Sequence, residues 1–294
     1  MLLGEHLGSY PEDLKSTIMA ISNASKTISK GFNKKQGLAG TSNIYGEEQL
    51  ALDKWADQLI IDLLEKEGVV KALASEERTD PVEFDSSSDL VLTVDPLDGS
   101  SLIGVNLTVG TIIGFQRRSL MKPGKDMLGA MYILYGPLTV LVYCLGEGVH
   151  EFILNEEGDY ILQEEDIRIP EGKIYSPGAL RKDWLPFQEE WVELLEKDGY
   201  KLRYSGSFVA DVHQIMHKGG VFSYPAYRGS SSGKLRLLYE CRPMGYIVTQ
   251  AGGAVSDGVT DILRIEPNDI HQRTPVYIGG KKEINLIENI KRGD

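Results

Sequence analysis

The chain has 294 residues, 41% of them hydrophobic, and a formal net charge of −12. That length supports a large core in one domain or two abutting lobes, and the acidic balance argues against a nucleic-acid surface, which is usually basic. An acidic chain that binds an anion needs metals or placed Lys and Arg to offset repulsion. The only cysteines, Cys144 and Cys241, lie in apolar surroundings. They imply no disulfide framework and fit a reducing, cytoplasmic setting. The opening MLLGEHLGSYPEDL lacks the basic and apolar regions of a signal peptide. The apolar stretch 130–145 is broken by Gly136 and Pro137, so no membrane span is expected.

Leu14, Ile18, Ile21 and Ile28 have helical spacing and predict a helix over 12–31. Residues 33–46 are polar and glycine-bearing and read as a loop. Leu52, Trp55, Leu59, Ile60 and Leu63 predict a second helix over 47–66, carrying Glu47 and Asp53. Residues 69–74 read as a strand that delivers Glu76-Glu77, and 83–89 as an acidic loop. Strands follow over 90–94, 108–115 and 131–145, the last split at Gly136-Pro137. A hairpin is predicted over 150–162 around Glu157-Gly158. The charged segment 163–172, with Pro170, is the expected boundary between lobes. Beyond it, 173–176, 221–224 and 235–239 read as strands. Residues 187–198, 208–217, 243–252 and 283–291 read as helices. Alternating helices and strands favour an α/β architecture.

The stretch Val94-Asp95-Pro96-Leu97-Asp98-Gly99-Ser100-Ser101 organises the rest. A turn after a buried strand can aim both carboxylates and the Leu97 carbonyl at one point, and hard oxygen ligands suit Mg²⁺ or Mn²⁺. Gly99, Ser100 and Ser101 can then open a helix whose free N–H groups face a phosphate. Strand neighbours point to opposite faces. Glu76 and Glu77 can therefore serve one site only where their strand frays. Lys234 and Arg236 alternate, and so share a face that can meet an anion.

DPLDGSS resembles the metal-binding motif of the lithium-sensitive, Mg²⁺-dependent phosphatase superfamily, which includes the inositol monophosphatases. The segments GLAGTSNIYGEEQLALD, ASEE, VGTIIGF, RYSGSFVADVH, FSYPA, GKLRLLYECRPMGY, QAGGAVSDG and PNDIHQRTPVYIG are similar to class I fructose-1,6-bisphosphatase, in family order. The resemblance implies a layered α-β-α-β-α sandwich. It would place a metal lobe at 1–165 and a sugar-phosphate lobe at 166–294. It implies Mg²⁺-dependent hydrolysis of the 1-phosphate of fructose 1,6-bisphosphate in a homo-oligomer, a dimer or tetramer, with two or three Mg²⁺ ions (or Mn²⁺) per site.

By the same resemblance Glu76, Asp95, the Leu97 carbonyl, Asp98 and Glu240 are metal ligands. Glu77 is the base that takes a proton from the attacking water, and Asp53 and Glu47 act beside it. Lys234 and Arg236 would reach the sugar phosphates. Arg203, Tyr204 and Tyr224 match residues around the distal phosphate, the arginine reaching it from a neighbouring subunit. The histidines have no zinc spacing and none is assigned to catalysis. Superfamily members acting on inositol or nucleotide phosphates carry a Trp-Asp pair where this chain has Tyr239-Glu240. A silent sugar-phosphate sensor would have lost a carboxylate, and none is lost.

Two departures from the family stand out. Its AMP site uses a Thr-Gly-Glu-Leu-Thr turn, a Lys-Tyr pair and an arginine. Here SYPEDLKST and Asp89-Leu90 replace the first two, and only Arg117 fits. The distal-phosphate segment, Tyr175-Ser176-Pro177-Gly178-Ala179-Leu180-Arg181, resembles sedoheptulose-1,7-bisphosphatase locally. That similarity implies sedoheptulose 1,7-bisphosphate as a second substrate, with its being the primary one as the alternative. Arg181 would then contact the distal phosphate through paired hydrogen bonds.

Overall fold

A computed structural model of the chain describes residues 1–35 and 45–293, and the side chains outside 33–50. The expected loop over 33–46 therefore lies mostly outside the described residues, as does the Glu47 side chain. A short helix α1 (Leu3–His6) leads into α2 (Glu12–Lys35), and α3 (Tyr45–Glu67) follows. Eight strands then come in sequence: β1 (Ala72–Ser75), β2 (Val82–Glu83), β3 (Leu90–Asp98), β4 (Val109–Arg117), β5 (Gly129–Tyr135), β6 (Thr139–Cys144), β7 (His150–Leu154) and β8 (Tyr160–Glu164). They form one sheet in the order β2-β1-β3-β4-β5-β6-β7-β8. Only β1 and β3 run parallel; the other neighbours are antiparallel.

The second half supplies β9 (Ile174–Pro177), α4 (Pro186–Lys197), β10 (Lys201–Leu202), α5 (Phe208–Lys218), β11 (Val221–Tyr224), α6 (Arg242–Gln250), β12 (Ala254–Ser256), β13 (Val276–Gly279) and α7 (Lys281–Arg292). Its strands form a second sheet, β10-β9-β11-β13-β12.

Two-residue alternation decides how the layers stack. In the large sheet Ile113, Phe115, Met131, Ile133 and Leu141 face one way, packing with Ile18, Ile21, Ile28, Ala56 and Ile60 of α2 and α3. Their neighbours Ile112, Tyr132, Leu134, Val140 and Val142 face the other way, packing with Val209, Val212 and Ile215 of α5 and Met244 and Ile247 of α6. The same cluster includes Phe222 and Ile278 of the second sheet. The far face of that sheet, through Tyr175, Val221 and Tyr277, packs against Trp191 and Leu195 of α4 and Ile284 and Ile287 of α7. The result is the α-β-α-β-α sandwich that the resemblance implies.

One predicted element differs in kind. The apolar run 235–239 is not a strand. The chain is extended up to Arg236, which bridges to Arg273, and then winds into a π-helical turn, Leu237–Cys241, that runs into α6. A π turn carries one more residue than an α turn and is common at functional sites. Every residue of this turn is buried, so its near-continuous apolar pattern could not be told from that of a buried strand.

Arg117, at the end of β4, is engaged by carboxylates on both sides. It bonds Asp13 on α2 and donates to Asp89 at 2.9 Å. An arginine clasped by two anions is a poor phosphate ligand. AMP is therefore expected to bind the chain weakly, and a micromolar dissociation constant measured by calorimetry would overturn this.

Candidate active site

The site forms at the carboxyl ends of β1 and β3. Because these strands are parallel and pair Ser75 with Val94, the residues that follow them emerge side by side. Glu76 donates its N–H to the Val94 carbonyl at 3.0 Å, so it leaves its strand next to Asp95. The β3–β4 ladder pairs Asp95 with Ile112 and Asp98 with Gly110, so β3 holds one extra residue between them. In a regular strand, residues three apart point to opposite faces. The bulge, at Pro96-Leu97, cancels that difference and turns both aspartates to one side.

Glu240, in the π turn, completes the set. One carboxylate oxygen each from Asp95, Asp98 and Glu240 lies within 4.8 Å of the others, and all three residues are buried. Each is also held in place. Asp95 accepts from the Leu97 N–H at 3.0 Å, and Glu240 from the Arg236 N–H at 2.6 Å. Asp98 accepts from the Ser207 hydroxyl and the Val209 N–H, both at 2.8 Å. Ser207 caps the N-terminus of α5, so Asp98 also sits at the positive end of that helix. Gly99 turns through a left-handed φ of 77°, and a Cβ there would meet the Ser207 Cβ at 2.8 Å. Only glycine allows the two segments to approach so closely. Ser100 then opens a 3₁₀ helix, Ser100–Val105, rather than an α-helix.

Burial and mutual repulsion push these carboxyls up. Burial, then Glu76, Asp98 and Glu240, raise Asp95 well above the usual carboxylate range. Burial and then Glu76 and Asp98 do the same to Glu240. Asp98 is raised to about 6, chiefly by burial, against the pull of its Val209 and Ser207 hydrogen bonds. Asp53, on α3, is raised to about 7 by burial and then by Glu77. It accepts from Ser100 Oγ at 3.1 Å, while its Oδ1 is buried with no hydrogen-bond partner among the described residues. Glu77 is raised by burial, Glu76 and Asp57. A concentrated set of oxygen donors raised by burial and then by its own repulsion, with one orphaned oxygen, fits hard divalent cations.

These residues line one cleft of about 310 Å³. Asp53, Glu76, Glu77, Asp95, Leu97, Asp98, Gly99, Ser100, Ser101 and Glu240 form its acidic side, and Tyr204, Tyr224, Lys234 and Arg236 face them. Arg236 pairs with Glu76 at 3.4 Å, and the Lys234 ammonium lies 5.8 Å from the centre of the Tyr224 ring.

Two of the singled-out arginines do not line this cleft: Arg203, whose expected role is at a neighbouring subunit's site, and Arg181, which is expected here. Arg203 donates to the Leu202 carbonyl at 2.9 Å and is exposed. Arg181, the residue expected at the distal phosphate, is turned away. Past β9 the chain passes through a left-handed Ala179, with φ 62°, into a 3₁₀ turn. There the Arg181 guanidinium lies over the Trp184 ring and 3.8 Å from Glu193 on α4. Gly178 has its own packing reason: a Cβ there would sit 2.3 Å from the Tyr224 ring.

The sequence reading missed Arg273, a third cation lining the cleft. Its segment, PNDIHQRTP, was legible only through the bridge to Arg236, which joins residues far apart in sequence. It also missed Asp57, buried on α3 and held by Arg78 at 2.6 Å. The signal was available, since Asp53 and Asp57 are one helical turn apart.

Comparisons with known proteins agree with the geometry. The family model described as fructose-1-6-bisphosphatase, N-terminal domain, matches residues 5–165, and its C-terminal domain counterpart matches residues 169–292. A fructose-1,6-bisphosphatase class 1 of Methanocorpusculum labreanum is 48% identical over 281 residues, covering 96% of this chain and 88% of its own length. One from Geobacter sulfurreducens is 48% identical over 279 residues, covering 93% and 89%. The crystal structure of Leishmania major fructose-1,6-bisphosphatase in holo form superposes with a TM-score of 0.90 at 34% identity, over 99% of each chain. This chain belongs to the class I fructose-1,6-bisphosphatase family.

Proposed function

We propose that the chain hydrolyses the 1-phosphate of fructose 1,6-bisphosphate, giving fructose 6-phosphate and phosphate. The observation that carries this reading is a single cleft that sets Asp95, Asp98 and Glu240 against Lys234, Arg236 and Arg273. Its relatives are named for the same activity. Sedoheptulose 1,7-bisphosphate as the main substrate is not favoured, since Arg181, on which that reading rested, lies outside the cleft.

In this reading Glu76, Asp95, the Leu97 carbonyl, Asp98 and Glu240 hold two or three Mg²⁺ ions, with Mn²⁺ as a substitute. Bound there, the ions would polarise the phosphate and lower the pKa of a water. Glu77 takes the proton of the attacking water. Burial and the neighbouring Glu76 raise its affinity for protons, which suits a group that must accept one. Asp53 orients the water, Ser100 fixes Asp53, and Glu47 acts beside them. Ser101 and Gly99 shape the floor under the reacting phosphate. Lys234, Arg236 and Arg273 offset the charge of the phosphates, and Tyr204 and Tyr224 bound the sugar side. Arg203, exposed on one subunit, serves the cleft of a neighbour in a dimer or tetramer. Residues 1–165 act as the metal lobe and 166–294 as the sugar-phosphate lobe. The unpaired, buried Cys144 and Cys241 suit a cytoplasmic setting.

Four outcomes test this. Glu77→Gln is expected to lose at least about 100-fold in kcat, the scale of a general base, and Asp98→Ala more. Near-normal turnover of Glu77→Gln on fructose 1,6-bisphosphate would remove it as the base. Lys234→Ala is expected to raise KM about tenfold, the loss of one charge-assisted contact of roughly 1.5 kcal/mol. Arg181→Ala is expected to leave KM within about twofold; a tenfold rise would return it to the distal phosphate.

The fourth outcome concerns pH. Asp53, raised to about 7, and Asp98, raised to about 6, hold protons in the cation-free fold that unfolded aspartates release from the usual range upward. The stability these protons confer is present at low pH and is lost as pH rises through those values. A cation must displace them. Added Mg²⁺ is therefore expected to raise the melting temperature more at about pH 8 than at about pH 5. Equal shifts in a thermal-melt series would show that Mg²⁺ does not bind through these carboxylates.

A further inference from the structure

Sequence spacing alone assigns no zinc site to the histidines, but the fold assembles a donor set whose residues lie outside the lining of the cleft. His213 and His217 are one turn apart on α5 and so project from one face of the helix. Their rings meet edge to face with centroids 4.7 Å apart. Glu151 of β7 comes in from the large sheet, 6% exposed, with Oε2 2.8 Å from His217 Nε2. One donor atom from each of Glu151, His213 and His217 lies within 4.8 Å of the others. None of the three lines the catalytic cleft.

The surroundings are those of a supported metal site. The buried Tyr132 hydroxyl, on β5, is 2.9 Å from His213 Nδ1 and fixes that ring, as partners behind metal-binding imidazoles do. Glu164 of β8 stands 4.0 Å from His217 Nδ1, on the other side of the second ring. A cavity of about 390 Å³ borders both histidines, with Asp211, Gln214 and Lys218 also in its wall, and leaves room for a water or another small ligand. Lys218 is the one cation lining it among the described residues, and Asp211 lines it too.

Two imidazoles and one carboxylate, with an open fourth direction, are the donor chemistry of zinc rather than of magnesium. The all-oxygen cluster in the cleft has the opposite preference. We propose that Glu151, His213 and His217 form a Zn²⁺ site distinct from the catalytic metal cluster, pinning α5 to the outer strands of the large sheet. The competing arrangement is a metal-free His217–Glu151 ion pair that pins the same helix.

The test keeps the two metal sites apart. Full-length chain, stripped of metal and then saturated with Mg²⁺ near neutral pH, is titrated with Zn²⁺ against a chromogenic chelator. The expected result is one tightly held Zn²⁺ per chain, with affinity reduced more than about tenfold in His217→Ala and in Glu151→Gln. Asp95→Asn, altered only in the cleft, is expected to bind as the parent does. Zinc binding lost in Asp95→Asn and kept in His217→Ala would assign the ion to the cleft and overturn the proposal, as would no tight zinc in the parent. Co²⁺ in place of Zn²⁺ gives a readout that needs no variant. Intense visible bands of a four-coordinate site with nitrogen donors are expected in the Mg²⁺-saturated parent, and only the weak spectrum of six-coordinate oxygen ligation would refute the site.

Discussion

Asp95, Asp98 and Glu240 are buried with donor oxygens within 4.8 Å of one another, and like charges at that range in a poorly solvated place repel strongly. The rest of the cleft can be understood as the management of that repulsion. Backbone N–H groups of Leu97, Val209 and Arg236 point at the three carboxylates. The N-terminus of α5 faces Asp98, and the Arg236 guanidinium is drawn to Glu76. Burial, and then the repulsion left uncompensated, shows as protons held too tightly, on Asp95 and Glu240 above all. A site so arranged is poised for divalent cations because its own protein groups neutralise only part of the charge.

The geometry that creates this concentration is a matter of residue counting. One extra residue in β3 turns Asp98 to the side of Asp95, and one extra residue per turn in Leu237–Cys241 accompanies Glu240 at the same point. Both irregularities replace regular structure with something less stable in itself. Each stands where a regular element would have sent a carboxylate elsewhere.

The acidic turn, the strand before it and the α/β class were legible in the sequence, because alternation and helical spacing are local signals; the layered order was implied only by the family resemblance. Leu90–Val94 announces β3, and Leu14, Ile18 and Ile21 announce α2, with no reference to distant residues. The irregular turn around Glu240 was not legible, since a buried π turn and a buried strand share one apolar pattern. Arg273 and the grouping of Glu151 with His213 were hidden for another reason. Each depends on contacts between segments that the chain brings together only in three dimensions. Arg181 shows the converse: a charged residue at a suggestive position that meets Trp184 and Glu193 outside the cleft, contacts no local pattern announces.

The separation in sequence between the two sides of the cleft has a consequence for how the protein folds. Glu76 and Arg236 are 160 positions apart, yet their side chains meet. Contacts closing so long a loop form late, because its entropy must be offset first. The large sheet is complete by Glu164, while the face carrying Ile112, Tyr132 and Val142 is covered only by α5 and α6, which come afterwards. During synthesis a finished sheet therefore waits with a broad apolar surface in water, the condition under which partly made chains aggregate. A chain that stalls at this stage has Glu76, Asp95 and Asp98 side by side but lacks Glu240 and the cations Lys234, Arg236 and Arg273 that face them.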